Sequence, residues 1–341
     1  MKYGILKFAV IALLIIVASS ACLPPESKPS PVISPPPAEE DEKAVETEAQ
    51  REALPTFPIT VVDDIGRQVT ISQLPQRIIS LAPSNTEILF ALGLDQKIVG
   101  VTDYCDYPEA AKAKPRVAGY SNPNIEKIVS LEPDLIVAES IHEKMVLPAL
   151  EKLGLTVFVT SATSLDIILR DIEVIGRITG KQKAATELVN NLKARIDTVA
   201  SKTAALTSEQ RPRVLYVCWH APIWTMGSGT FIDDLIWKAG GSNVFAADFK
   251  KSRAVSLEAV INKNPQVILV SGMGTTGELI YSSIVGEERL KSVDAIANHR
   301  VYKISNANLI ERPGPRIADG LEEIAKYIHP ELFRAGSAPS K

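Results

Sequence analysis

Three short segments carry the residues best suited to chemistry. Asp103-Tyr104-Cys105-Asp106-Tyr107-Pro108 combines two tyrosines, a thiol and two carboxylates. It follows Lys97-Ile98-Val99-Gly100-Val101, which reads as a strand, so it lies at a strand's carboxyl end, where open α/β sheets bind ligands. Cys218-Trp219-His220-Ala221-Pro222-Ile223-Trp224 follows a second such strand, Arg213 to Val217, and sets two tryptophans in what reads as an irregular loop closed by Gly227 and Gly229. Tryptophan is unusual in solvent-facing loops, so Trp219 and Trp224 form either one wall of a cleft or part of the core. Leu309-Ile310-Glu311-Arg312-Pro313-Gly314-Pro315-Arg316 places a planar, always charged guanidinium at Arg312, ahead of the last helix, with Arg316 inside that helix.

Covalent chemistry finds little support in the same residues. Gly-x-Ser-x-Gly and His-Glu-x-x-His are absent, and the four histidines, His142, His220, His299 and His329, are scattered. Asp103 and Asp106 imitate a catalytic carboxylate pair, but neighbouring acids in a loop usually serve as solvated or capping groups. Gly227-Ser228-Gly229 lacks the Lys-Ser/Thr that completes a phosphate loop. His220 is either an axial metal ligand or a hydrogen-bonded loop residue, and His299 and His329 read as surface positions. A Cys105–Cys218 bridge would need two loops to meet at tight geometry, so both read as free thiols. The expectation is a binding protein, not an enzyme, with no cofactor of its own.

The elements that must position these loops show an internal repeat. Ile125-Glu126-Lys127-Ile128-Val129 followed by Pro133-Asp134-Leu135-Ile136-Val137 recurs without a gap as Leu257-Glu258-Ala259-Val260-Ile261 followed by Pro265-Gln266-Val267-Ile268-Leu269. Each copy reads as a short helix, a proline and a strand buried on both faces. Thr156 to Ser161 is echoed by Arg300 to Ser305. Between the copies, Ala185, Leu188, Val189, Leu192, Ile196 and Val199 make one buried stripe, predicting an unbroken helix from Gln182 to Ala205, roughly 35 Å long. Ser164 caps a shorter helix before it, and Trp237 reads as core in a helix from Ile232 to Ala239. The fold class is therefore two similar α/β lobes joined by one long α-helix, with the ligand cleft between the lobes. A hairpin from Ile59 to Ile71 opens the first lobe.

Forty-five per cent hydrophobic residues in 341 give room for two such lobes, so the expected organisation is a signal peptide (1–21), a lipidated, disordered tether (22–57), an N-terminal lobe (58–163), a helical linker (164–205), a C-terminal lobe (206–336) and a tail (337–341). Lys2 and Lys7 precede an apolar run from Phe8 to Val17, then Ala18-Ser19-Ser20-Ala21-Cys22, the anatomy of a secretory signal with small residues at its cleavage point. The chain is rich in proline, glutamate, serine and alanine from Leu23 to Pro58, a composition that cannot offset its ordering entropy. A net charge of −3 gives no basic surface for nucleic acid.

Arg77 to Glu87, Asp103 to Pro108 and Asn124 to Ile128 resemble the periplasmic substrate-binding proteins of ABC importers for cobalamin, haem and ferric siderophores, the cobalamin binders most of all. Cys22 after small residues resembles a bacterial lipobox. The resemblance spans Phe57 to Phe333 and implies a monomer held outside the bacterial cell membrane by lipid on Cys22. It would hand a metal chelate to a permease dimer with its ATPase subunits. It implies that Tyr104 and Tyr120, in Gly119-Tyr120-Ser121-Asn122-Pro123, cover the ligand from the first lobe and that Trp219 and Trp224 do so from the second. A corrin or porphyrin offers a flat, largely apolar face that aromatic rings cover at small entropic cost. Arg312 would reach the cleft, unless paired with Glu311 or capping a helix. Glu126 and Glu258, at equivalent places in the repeat, would meet arginines on the two permease subunits.

Overall fold

The computed structural model describes residues 55–272 and 276–333. The expected signal peptide, Cys22, most of the tether and the tail lie outside the described residues. The first lobe contains β1 (Ile59–Val62), β2 (Gln68–Ile71), β3 (Ile78–Ser80), α1 (Pro83–Ala91), β4 (Ile98–Val101), α2 (Ile125–Ser130), β5 (Leu135–Glu139), α3 (Leu147–Lys152) and β6 (Val157–Thr160). Two helices follow, α4 (Leu165–Ile178) and α5 (Gln182–Thr203). The second lobe contains β7 (Arg213–Val217), β8 (Trp219–His220), β9 (Ile223–Met226), α6 (Phe231–Lys238), β10 (Ser242–Asn243), β11 (Ser252–Val255), α7 (Leu257–Lys263) and β12 (Val267–Val270). It continues with α8 (Thr276–Val285), α9 (Asp294–Ala297), β13 (Val301–Lys303), α10 (Asn308–Glu311), α11 (Ile317–Ile328) and α12 (Pro330–Phe333).

The repeat is a repeat of topology. The first sheet runs β4-β3-β5-β6 and the second β10-β7-β12-β13, each with four strands and parallel throughout. Numbered within each lobe, both orders read 2-1-3-4. Both faces of such sheets must be covered, and the central strands comply: Leu135 to Ala138 and Val267 to Val270 are completely buried. The second lobe adds a small antiparallel sheet, β11-β9-β8, so the segment from Trp219 to Met226, expected to be irregular, is a hairpin.

The long helix has company. At 22 residues α5 spans about 33 Å and buries Ala185, Val189, Leu192, Ile196 and Val199, with Leu188 packed against the same core. It turns back along α4 through Thr179-Gly180-Lys181, and a Cβ at Gly176 would lie 2.3 Å from that of Ala185, so glycine there lets the two backbones meet. Asp234 of α6 accepts the Leu165 amide at 2.8 Å, and Thr203 donates to the Lys238 carbonyl at 2.8 Å, fixing the far ends of the pair to the second lobe. One apolar cluster runs from Ile88, Leu92 and Val137 through Ile172, Leu192 and Ile196 to Tyr216, Ile236 and Ile324. Separating the lobes would cut this core, so the joint permits rocking at most.

Two packing expectations fail. Trp237 is 57% exposed, because the Thr230 cap sets the phase of α6 so that Ile232, Leu235 and Ile236 face inward; its ring carries the Arg211 guanidinium at 3.8 Å. His329 is buried where the chain turns at the end of α11, its Nε2 3.1 Å from the Gly240 carbonyl.

The linker also holds a titratable contact. Asp171 of α4 is buried beside Asp64 of the β1–β2 turn, with Arg170 bonded to both. Burial, then the Asp64 charge, pushes the Asp171 carboxyl up to about 8. The folded chain therefore holds a proton that the unfolded chain, with an ordinary value near ~3.9, releases first. Its stabilising effect is complete below about pH 4 and is lost as the pH rises to about 8. In melting curves at pH 5 and pH 9, the parent should lose about 4 kcal/mol, roughly 10 °C, more than Asp171→Asn. Equal losses would show that no proton is held there.

Candidate functional site

Both parallel sheets point their carboxyl ends at one cleft. From the first lobe, β3 leads to Pro83 and Ser84, β4 leads to Tyr104, and β5 ends on Glu139. From the second, β7 leads to Cys218 and Trp219, and α6 and α10 supply Phe231 and Glu311. The space divides into a chamber of about 580 Å³, walled chiefly by the second lobe, and one of about 360 Å³, walled chiefly by the first. They meet at Phe231 and Glu311, which line both.

Tyr104 and Tyr120 line the smaller chamber and Trp219 the larger, so three of the four expected aromatics face the cleft. Trp224 lines neither chamber. It is the direct cross-strand partner of Trp219 and shares a sheet face with Met226, a lining residue, which puts it at the outer margin of the same wall. His220 also lines neither chamber; its ring packs 5.4 Å from that of Trp219. Of the two roles considered for His220, axial ligation has no position in the lining, because successive strand residues face opposite sides and Trp219 takes the side toward the chamber. Among the described residues no cluster of three or more His, Cys, Asp or Glu side chains could hold a metal ion.

Arg312 reaches the cleft but is already occupied. Its Nη1 donates to Asp106 at 2.6 Å and approaches Glu87 at 3.4 Å, while its buried Nε has no partner. Arg316, placed just before α11, binds Glu87 with two donors at 2.8 and 2.6 Å and stacks 3.8 Å over Tyr107. Burial works against the Asp106 carboxylate, yet the hydrogen bond and charge of Arg312 outweigh it and hold its pKa below the usual range. Two arginines of the second lobe thus balance two acids of the first beneath the cleft. Of the two alternatives considered for Arg312, an ion pair with Glu311 does not form, and although Arg312 stands at the C-cap position of α10 its guanidinium is spent on Asp106 and Glu87.

Two lining carboxyls escaped sequence reasoning. Glu139 takes a hydrogen bond from the Tyr120 hydroxyl, and burial pushes its pKa up. Glu311 takes hydrogen bonds from the Ser271 hydroxyl and, at 3.5 Å, from buried Tyr216; burial raises its pKa too. His142 orients the first pair: its Nδ1 accepts the Glu139 amide at 3.1 Å, leaving Nε2–H to donate to the Tyr120 carbonyl at 2.6 Å. Burial lowers the His142 pKa and so favours this neutral form. The position of Glu139, at a carboxyl end like that of Tyr104, was a usable signal.

Cys105 and Cys218 are free, as expected. Burial, with Glu311 nearby, pushes the Cys218 thiol up to about 11, so the cleft holds a thiol and not a thiolate nucleophile at neutral pH. The arrangement suits enclosure of a broad, largely apolar body. Away from the cleft, Glu126 and Glu258 are both exposed, each the second residue of a helix whose cap is Asn124 or Ser256.

Residues 78–307 match the family model for periplasmic binding proteins. YvrC, an uncharacterized ABC transporter substrate-binding lipoprotein of Bacillus subtilis (strain 168), is 33% identical over 299 residues, 86% of this chain and 92% of that protein. The crystal structure of the periplasmic vitamin B12 binding protein BtuF of Vibrio cholerae aligns with a TM-score of 0.64 at 32% identity, covering 75% of this chain and 97% of that one. The periplasmic haem-binding protein RhuT of Roseiflexus sp. RS-1, in its apo form, gives 0.67 at 25% identity over 75% and 99%.

Proposed function

The chain belongs to the periplasmic binding protein family, and from the walls of its cleft we infer that it carries cobalamin or a related corrinoid to the permease of an ABC importer. The observation that carries this reading is the pair of opposed aromatic surfaces, Tyr104 and Tyr120 on one lobe and Trp219 on the other, across a single continuous cleft. A flat macrocycle is the body such walls enclose best. Likeness to the vitamin B12 binding protein supports the corrinoid; likeness to the haem-binding protein keeps haem, with the ferric siderophores, as the second reading. Titration with corrinoids, haemin and ferric chelates, followed by calorimetry and absorption, tests it. Binding of corrinoids is the expected result, and binding of haemin or a ferric chelate alone would replace them.

In this reading the protein works as a monomer, performs no bond chemistry and has no resident cofactor. Its acidic pair, Glu126 and Glu258, docks on the permease dimer, whose ATPase subunits drive transport. Lipid on Cys22 holds it at the outer face of the bacterial membrane; no helix of the described residues is long and apolar enough to cross one. A single acyl chain binds a membrane only marginally, so anchoring needs at least two chains on Cys22. Cys22→Ala should move the protein from the membrane to the soluble fraction, and unchanged sedimentation with membranes would count against the anchor.

A further inference from the structure

The geometry points to a charge filter in this cleft: it accepts neutral or cationic ligands that bring hydrogen-bond donors to Glu139 and Glu311, and it turns away ligands that carry carboxylates or other anionic groups. This rests on the cleft being the ligand site.

The two carboxyls enter from different lobes, so a ligand spanning the cleft meets both. Each is held through one oxygen, Oε2 of Glu139 by Tyr120 and Oε1 of Glu311 by Ser271 and Tyr216. The second oxygen of each is left for whatever enters. Arg312 is the sole lysine or arginine among the described lining residues, and Asp106 and Glu87 already neutralise it. Arg316 is likewise committed to Glu87, so the four groups cancel and no positive charge is offered to a ligand.

The conclusion holds for either protonation state of the two acids. Ionised, they repel an anion directly. Protonated, as burial favours, they leave an entering anion desolvated with no countercharge, the costly case of an unpaired buried charge. An amide or amine N–H finds an acceptor oxygen in both states. Rejection thus comes from groups placed against the wrong ligand as much as from contacts with the right one.

Matched compounds test this. Cyanocobalamin is compared with its monocarboxylates, made by hydrolysing one peripheral amide, and a neutral ferric trihydroxamate with a trianionic ferric tricatecholate, all by tryptophan fluorescence and calorimetry. In whichever pair binds, the uncharged member should bind about a hundredfold more tightly. Glu139→Lys and Glu311→Lys, which put the missing countercharge into the cleft whichever way the acids are protonated, should narrow that ratio about tenfold or more, with melting still cooperative. Equal or tighter binding of the anionic member by the parent protein would overturn the filter and leave the ligand site standing, as would a ratio unchanged in both variants. Failure of all four compounds and of haemin to bind would overturn both, whereas tight binding of haemin, which carries two propionates, would overturn the filter and leave the ligand site standing. The parent comparison stands by itself if either variant fails to fold.

Discussion

Tyr120→Ala should weaken ligand binding about thirtyfold or more, and Trp219→Ala by a similar factor, with both variants still melting cooperatively. Each ring lines one chamber, and truncating an aromatic anchor at the centre of a desolvated contact typically costs about 2 kcal/mol or more. Tyr120 has a second task that must be separated from the first. Its hydroxyl donates to Glu139, so alanine also strips a buried carboxyl of its donor. Tyr120→Phe keeps the ring and removes the donor; it should cost stability, about 1–3 kcal/mol, and leave most of the affinity. Trp224→Ala should have the smallest effect of the set, since Trp224 stands at the margin of the wall and lines neither chamber. Affinities unchanged in both Tyr120→Ala and Trp219→Ala would take these rings out of the site and with them the case for a flat ligand.

What could be read in advance is what local periodicity encodes. The stripe from Ala185 to Val199 predicted α5, and the helix-proline-strand repeat predicted lobes that share the order 2-1-3-4. The loops at strand ends followed from the sheets. What escaped depends on partners distant in the chain. Tyr120 meets Glu139 19 positions on, Tyr216 meets Glu311 95 positions on, and Arg312 meets Asp106 across 206. No spacing rule announces such pairs, so Arg312 was legible as a cleft residue but not as a neutralised one. Helix phase was the other gap: a shift of one residue at the Thr230 cap decides whether Trp237 faces core or water. The pairing of β9 with β11, from Ile223 with Val255 to Met226 with Ser252, is likewise distant in the chain, and it makes a sheet of the segment that read as a loop.

The largest effect is expected away from the cleft, where Glu126→Arg combined with Glu258→Arg should reduce uptake into cells to background while leaving ligand affinity in solution unchanged. The argument is the repeat itself. Helix α2 feeds β5 and α7 feeds β12, strands in the same place in their sheets, so the two glutamates project from equivalent points of the two lobes. Both are exposed, neither takes part in an ion pair among the described residues, and neither lines the cleft. Glu258 is also kept ionised: a hydrogen bond from its own amide, then the Ser256 hydroxyl, with Arg289 nearby, hold its pKa below the usual range. Two exposed like charges at fixed separation, held by a core that runs through both lobes, make a rigid two-point plug for a partner with matching cations. With arginines on the permease as proposed, reversal would set like charges against each other at both points, where glutamine would only remove the attraction. The order of uptake should therefore be parent, double glutamine, double arginine, with the single reversals between the last two. Intact uptake by the double arginine variant would defeat the docking surface, and a fall in its ligand affinity would show that the substitutions had reached the cleft instead.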